Sequence, residues 1–288
     1  METRKLGRTG QMSSIVTFGS FALLQASQQE ADAALDMARR VGINHIDVSP
    51  IYGLAEERIG SWIKRNDRHF FIGCKTHQRD KEGAWESIKR SLDTLSIDRF
   101  DLFQFHGVDS IEIVKKILGP GGAMEAVLEA RKQGLLKYIG ITGHRPDVQN
   151  QALELYDFDT VMFPLNRVHA AHFQEWNDFR PLIKSARQKD VGVLVIKSVA
   201  KQLWENPDDT HHTYQTWYEP FDNPAEIEKS LWYTLSQDIT SAVLPGDLKL
   251  WPAAIDAAQR FESLDTATQQ EYVASASGYQ PLVGPNMD

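Results

Sequence analysis

Cysteine is nearly missing from this sequence, with Cys74 alone among 288 residues. One thiol excludes an intrachain disulfide, a cysteine-based zinc site and a cysteine-ligated iron–sulfur cluster. Long hydrophobic runs are missing too. The most apolar stretch, Val193 to Ile196 with its neighbours, falls far short of the ~20 residues of a membrane span. Met1 to Gly10 is polar and has no apolar signal-peptide core, so cytoplasmic residence is the expectation. Positive charge is in deficit, 31 Lys and Arg against 39 Asp and Glu, for a net charge of −8. That balance argues against a nucleic-acid or anionic-membrane partner, both of which favour basic patches. A small anionic ligand in a local basic pocket stays open.

What is present is ordinary globular composition, 42% hydrophobic and 24% charged, in a chain long enough to bury a sizeable core. At ~150 residues per domain the length alone favours two domains. The periodicity favours one. Short apolar runs predict buried strands at Ile15–Phe18, His45–Val48, Phe70–Lys75, Leu102–His106, Tyr138–Thr142, Thr160–Phe163, Val193–Lys197 and Ala242–Leu244. Each precedes a segment of helical spacing, at 28–41, 55–65, 81–95, 121–133, 147–155, 175–189, 224–237 and 250–263. The runs are continuous rather than alternating, as in parallel strands covered on both faces. Eight such units are what a closed (β/α)8 TIM barrel requires.

An open doubly wound sheet with a second domain is the competing layout, and it usually carries a Gly-rich turn after its first strand. Here Gly19-Ser20-Phe21-Ala22-Leu23-Leu24 holds one glycine, and no Pro- or Ser-rich linker divides the chain. The reading is therefore a single α/β barrel domain over 1–288. Residues 3–14, around Leu6-Gly7-Arg8-Thr9-Gly10, predict an N-terminal β-hairpin closing the barrel floor. Residues 198–223 and the tail from Leu264 carry Trp204, Trp217, Tyr218 and Tyr279. Long irregular segments of this kind are commonly lids or binding loops, and packing on the barrel exterior is the competing use.

Reactive groups in such a barrel come from the C-terminal ends of its strands. Asp47 ends the second predicted strand, Tyr52 follows five residues later, Lys75 ends the third and His106 the fourth. Each has an ordinary use alone: a helix cap, amphipathic packing, a solvated strand end, a satisfied core imidazole. Four such residues on one rim at three consecutive strands make coincidence the weaker explanation. A phenol near pKa ~10 needs its phenolate stabilised to act as an acid at neutral pH. A neighbouring ammonium does this, and an aspartate holds the ammonium. A histidine beside the phenol can hydrogen-bond and polarise a substrate oxygen. The set suits protonation of an oxygen on which negative charge develops, as in carbonyl reduction. None of the four delivers a hydride, so a nicotinamide cofactor is implied.

At these residues the sequence resembles the aldo-keto reductases over nearly its whole length. Arg4-Lys5-Leu6-Gly7-Arg8-Thr9-Gly10 is similar to the family's hairpin. Gly42-Ile43-Asn44-His45-Ile46-Asp47-Val48-Ser49-Pro50-Ile51-Tyr52-Gly53, with Glu56-Glu57-Arg58-Ile59-Gly60, is similar to its main signature. The resemblance implies reduction of an aldehyde or ketone by NADP(H), with NAD(H) not excluded, run in reverse as alcohol oxidation. It assigns proton donation to Tyr52, lowering of the Tyr52 pKa to Lys75, pairing with Lys75 to Asp47, and carbonyl orientation to His106. The family also includes cofactor-binding regulatory subunits of potassium channels, the alternative reading. Iron–sulfur relatives are closed to a chain with one cysteine.

The cofactor side departs more from the family. Ile139-Gly140-Ile141-Thr142-Gly143-His144 offers Thr142 for the carboxamide, but Gly143 stands where many members have Asn. Asn166 is a substitute donor and acceptor, with a loop Asx-turn as the equal alternative. In Ile196-Lys197-Ser198, Lys197 is either a phosphate contact, the favoured reading, or a simple strand-end lysine. Leu244-Pro245-Gly246-Asp247 resembles the turn that wraps the cofactor, which brings in Pro245 and Gly246. Lys249 is the nearby cation, and Asp247 would repel a 2′-phosphate or accept a ribose hydroxyl. His169-Ala170-Ala171-His172 and Asp208-Asp209-Thr210-His211-His212 have no full metal-ligand set at a recognised spacing, so no metal is expected. Cys74 is expected to point away from the rim and be inert. Oligomeric state and the substrate's identity are not readable.

Overall fold

The computed structural model describes residues 1–206 and 212–282. It begins with an antiparallel hairpin, β1 (Thr3–Lys5) and β2 (Met12–Ser14), with Thr3 opposite Ser14. The hairpin tip drives Leu6 into the barrel interior against Leu102, Met162 and Leu194. Gly192 makes this possible, since a Cβ there would lie 2.6 Å from Leu6 Cδ1. The floor is closed as the sequence predicts.

The first half of the barrel runs β3 (Val16–Gly19), α1 (Gln28–Arg40), β4 (His45–Asp47), α2 (Ala55–Arg65), β5 (Phe71–Thr76), α3 (Lys81–Leu95) and β6 (Phe100–Phe105). Two helices follow, α4 (Ile111–Leu118) and α5 (Ala123–Lys132), then β7 (Leu136–Thr142), α6 (Pro146–Leu155) and β8 (Thr160–Pro164). The remainder runs α7 (Arg167–Ala171), α8 (Arg180–Gln188), β9 (Gly192–Ile196), β10 (Ala200–Gln202), β11 (Glu219–Pro220), α9 (Pro224–Leu235), β12 (Ser241–Val243), α10 (Trp251–Gln259) and α11 (Thr266–Ala274). Strands β3 to β9 pair in chain order. β12 closes the ring against β9 and β3, with Ala242 opposite Val16. The architecture is a (β/α)8 barrel.

Strand alternation divides the core in two. Ile46, Ile72, Cys74, Phe103 and Phe105 face outward into the layer shared with the helices. Phe71, Leu102, Met162 and Leu194 fill the interior. Helix starts follow side-chain caps: Ser27 forms a capping box with Glu30 on α1, and Asp80 accepts from Gly83 on α3. Such caps are worth ~1 kcal/mol each. Phe18 meets Trp251 edge-on at 4.7 Å, and Trp251 Nε1 donates to the Pro245 carbonyl at 2.8 Å. This contact fixes the turn after β12.

Three segments differ from expectation. Between the predicted strand ending at His106 and the helical segment predicted from 121, where no helix is expected, lies α4, opened by Ser110, whose hydroxyl accepts from Ile113 N. α8 starts at Arg180 rather than near 175, because Asp178 accepts its backbone N–H and Pro181 sits in the first turn. The tail from Leu264 folds into α11, capped by Asp265. Among the described residues no helix is long and apolar enough to cross a membrane.

Candidate active site

The strand ends converge on a cavity of about 350 Å³ at the C-terminal mouth of the barrel. Inward alternation aims the reactive groups: Asp47 on β4, Lys75 on β5, and His106 just past β6, whose N–H bonds to the Thr76 carbonyl at 2.9 Å. Tyr52 comes from a turn in which its N–H bonds to Ser49 O at 3.0 Å. Gly53 ends this turn at φ +54°, where a Cβ would lie 2.4 Å from the Leu24 carbonyl, so the position needs glycine. The structure brings all four residues to this one cavity.

Lys75 Nζ is the hub. It donates to Asp47 Oδ2 at 2.5 Å and to Tyr52 Oη at 3.1 Å. The Lys75 and Asp47 side chains are 1% and 4% exposed, so this ion pair is desolvated. Burial opposes the Lys75 charge, but Asp47 and Tyr52 together outweigh it and hold the ammonium above its ordinary value. For Tyr52 burial dominates and raises the phenol, with Lys75 pulling the other way. Lys75 does lower the Tyr52 pKa, as the resemblance implies, but burial is the larger effect and the net shift is upward. The resting phenol is held protonated, and the ammonium's pull is the smaller contribution.

His106 is held neutral by burial first, then by Lys75, His77, His144 and Arg79. Ser49 Oγ lies 3.2 Å from His106 Nδ1, which leaves Nε2 as the ring nitrogen for an incoming oxygen. Arg79 Nη2 donates to the carbonyls of His106 and Gly107, fixing the loop that carries the imidazole. The rings of His106 and Tyr52 meet edge-on at 5.9 Å.

The candidate cofactor residues divide. Thr142, Lys197 and Gly246 line this cavity. Asn166 does not: its Oδ1 accepts from His169 N and its Nδ2 donates to Lys197 O, both at 2.9 Å. It caps α7, and the Asx reading prevails. Pro245 lines neither mouth cavity, and its carbonyl is taken by Trp251. Lys249 lines a second cavity of about 580 Å³, where its Nζ donates to Thr213 O. Asp247 is engaged as well, accepting from Lys249 N and Gln215 N, both at 2.9 Å.

Sequence reasoning missed His77, Asp109, Phe21 and Met162. His77 extends the inward series Gly73, Lys75 by one more step, and its ring lies tilted against that of His106, 4.0 Å between centroids. That period-two signal was readable. Asp109 and His144 pair across two loops, with Oδ2 and Nδ1 3.5 Å apart, which no local pattern announces. Trp217 folds over the mouth and lines both cavities, deciding the lid-or-exterior question for this part of the segment. Trp204 instead stacks on His212 at 4.3 Å. Asp208 to His211 lie outside the described residues. Cys74 is buried beside Glu56, and burial raises its thiol well above the ordinary value.

Burial also sets a pH dependence. His45 and His169 are pulled down to about 3, by desolvation first and by Lys75 and Lys197 second. An unfolded histidine titrates near ~6.5. The fold's preference for neutral imidazole is thus fully expressed above about pH 6.5 and lost as pH falls below it. Tm is expected to drop by on the order of 5–10 °C between about pH 7.5 and about pH 5. A Tm unchanged over that interval contradicts neutral burial of these rings.

A parallel barrel with Asp, Lys, Tyr and His at its C-terminal rim defines a class of barrel oxidoreductases. The chain belongs to the aldo/keto reductase family, whose model matches residues 16–279. It is similar to an oxidoreductase of Bacillus subtilis named uncharacterized, 26% identical over 283 residues, covering 87% of this chain and 88% of the relative. L-galactose dehydrogenase of Arabidopsis thaliana is 29% identical over 219 residues, 70% of this chain and 67% of the relative. Among solved structures, an aldo-keto reductase from Bacillus halodurans in its holo form superposes with a TM-score of 0.73 at 21% identity, covering 100% of both chains.

Proposed function

We propose that this chain reduces an aldehyde or ketone to the alcohol with NADP(H), the substrate being a small carbonyl compound. The observation that carries the reading is the buried Asp47–Lys75–Tyr52 chain, 2.5 Å and 3.1 Å between links, opening on a cavity beside a neutral His106. His106 Nε2 orients the carbonyl oxygen. Tyr52 Oη gives its proton to that oxygen as negative charge builds there. The phenolate left behind lies against the Lys75 ammonium, which Asp47 holds in place.

The residues present fit a nicotinamide dinucleotide. Two cavities adjoin at Thr216 and Trp217, giving an elongated site from Tyr52 toward Lys249. When bound, the nicotinamide supplies the hydride that no side chain here can give. Thr142, Gly246 and Lys249 are the residues proposed to hold it. NADP(H) is preferred on family grounds. The second cavity decides less, since Lys249 offers a cation for a 2′-phosphate and the Asp247 oxygens are already engaged.

Titration of nicotinamide fluorescence measures binding, and absorbance loss with a panel of aldehydes measures turnover. The expected result is binding with turnover. Binding without turnover on any carbonyl overturns the reading in favour of a regulatory, cofactor-sensing protein. At equal concentrations NADPH is expected to match or exceed NADH. Turnover about tenfold faster with NADH ends the NADP(H) assignment.

A further inference from the structure

We infer that the cavity selects carbonyl compounds bearing a carboxylate, and that Lys197 is the side chain that receives it. The inference rests on the carbonyl-reductase reading above. Lys197 follows β9 at φ +63°, a region that a long side chain enters at a cost. The surrounding chain holds it there: Asn166 Nδ2 and Ala200 N donate to its carbonyl at 2.9 and 3.0 Å. The bend sends the side chain into the cavity that Tyr52 and His106 line.

There Lys197 is 8% exposed, and its Nζ makes no hydrogen bond among the described residues. It rests over the Trp217 ring, 4.4 Å from the centroid. A cation–π contact offsets only part of the cost of burying an ammonium, which calls for an anion. Of the neighbouring cations, Lys75 is paired with Asp47, and Arg79, which does not line this cavity, gives its Nη2 to the His106 and Gly107 carbonyls while its Nη1 is unpartnered among the described residues. The acid whose charge reaches Lys197 is Asp109, and its carboxylate already holds the backbone N–H and ring of His144. Burial lowers the Lys197 ammonium to about 7, a tendency that a bound carboxylate reverses.

A ligand anion has two sources, the cofactor's diphosphate and the substrate. Lys197 acts electrostatically on Asp109, His144 and His169, which belong to the segments after β6, β7 and β8. Lys197 lines the cavity of Tyr52 and His106 and is not among the residues lining the second cavity, which runs toward Lys249. This favours the substrate as the source.

The test compares 4-carboxybenzaldehyde with its neutral counterpart, methyl 4-formylbenzoate, for wild type, Lys197→Met and Lys197→Arg, with cofactor Kd measured on each. The wild type is expected to prefer the acid. In Lys197→Met the acid-to-ester ratio of kcat/KM is expected to fall about 10- to 100-fold, the worth of one charge-assisted hydrogen bond. Lys197→Arg, which keeps the charge, is expected to retain most of the preference. An unchanged ratio with a cofactor Kd weakened about tenfold overturns the inference and moves Lys197 to the diphosphate. An unchanged ratio with an unchanged Kd also overturns it, leaving no ligand anion at Lys197. If wild type binds cofactor but reduces neither aldehyde, the carbonyl-reductase reading fails first and takes this inference with it.

Discussion

Tyr52→Phe is expected to lower kcat for aldehyde reduction by about 10²–10⁴-fold, the usual worth of a positioned general acid. The substitution removes one oxygen and the proton it carries. It keeps the ring that packs edge-on against Phe21 at 5.3 Å and against His106 at 5.9 Å. The cavity walls therefore stay in place, and the cofactor Kd is expected to hold within about threefold. Burial keeps the resting phenol protonated, which is the state a proton donor needs. A variant retaining more than about a tenth of wild-type kcat contradicts proton donation by Tyr52. The pairing of measurements matters, because loss of turnover with loss of cofactor binding would report a collapsed pocket instead.

Asp47→Asn is expected to be the costliest change to stability among the rim residues, at about 3–5 kcal/mol. The ion pair it breaks is almost wholly sealed, with the two side chains 1% and 4% exposed. Desolvation makes the intact pair a modest net stabiliser, but removing one partner leaves a buried charge unpaired. At a few degrees per kcal/mol for a chain of this size, Tm should fall by roughly 6–20 °C. Lys75 must then shed its proton or stay charged without a counter-ion. In the first case the phenolate loses its ammonium, so kcat falls as well. A Tm within about 2 °C of wild type contradicts the buried pair.

Much of this site was legible because a barrel strand obeys a two-residue period and delivers its last inward residue to the mouth. Asp47, Lys75 and His106 are such residues, and Tyr52 follows in a turn that Gly53 permits. His77 obeys the same period and was overlooked because the strand was taken to end at Lys75. Asn166 shows the opposite error. An asparagine after a strand is equally fit to bind a ligand or to cap the next helix, and only the position of the His169 N–H decides between them. The short helices α4 and α11 lie in stretches for which no helix was predicted, although Ser110 and Asp265 stand at their starts as ordinary caps. Lys197 was visible as a cation near the rim. Its direction depends on the sign of one backbone angle, which no residue pattern discloses.

The central claim is hydride transfer to a carbonyl carbon with a proton from Tyr52, and isotopic labelling tests it most directly. NADPH and NADH deuterated at the nicotinamide C4 would each be incubated with 4-carboxybenzaldehyde, and the alcohol analysed by mass spectrometry and NMR. The account predicts one deuterium on the carbinol carbon of the wild-type product, with its formation suppressed in Tyr52→Phe. Cofactor that binds and is never consumed, or an alcohol formed without deuterium at that carbon, would contradict it.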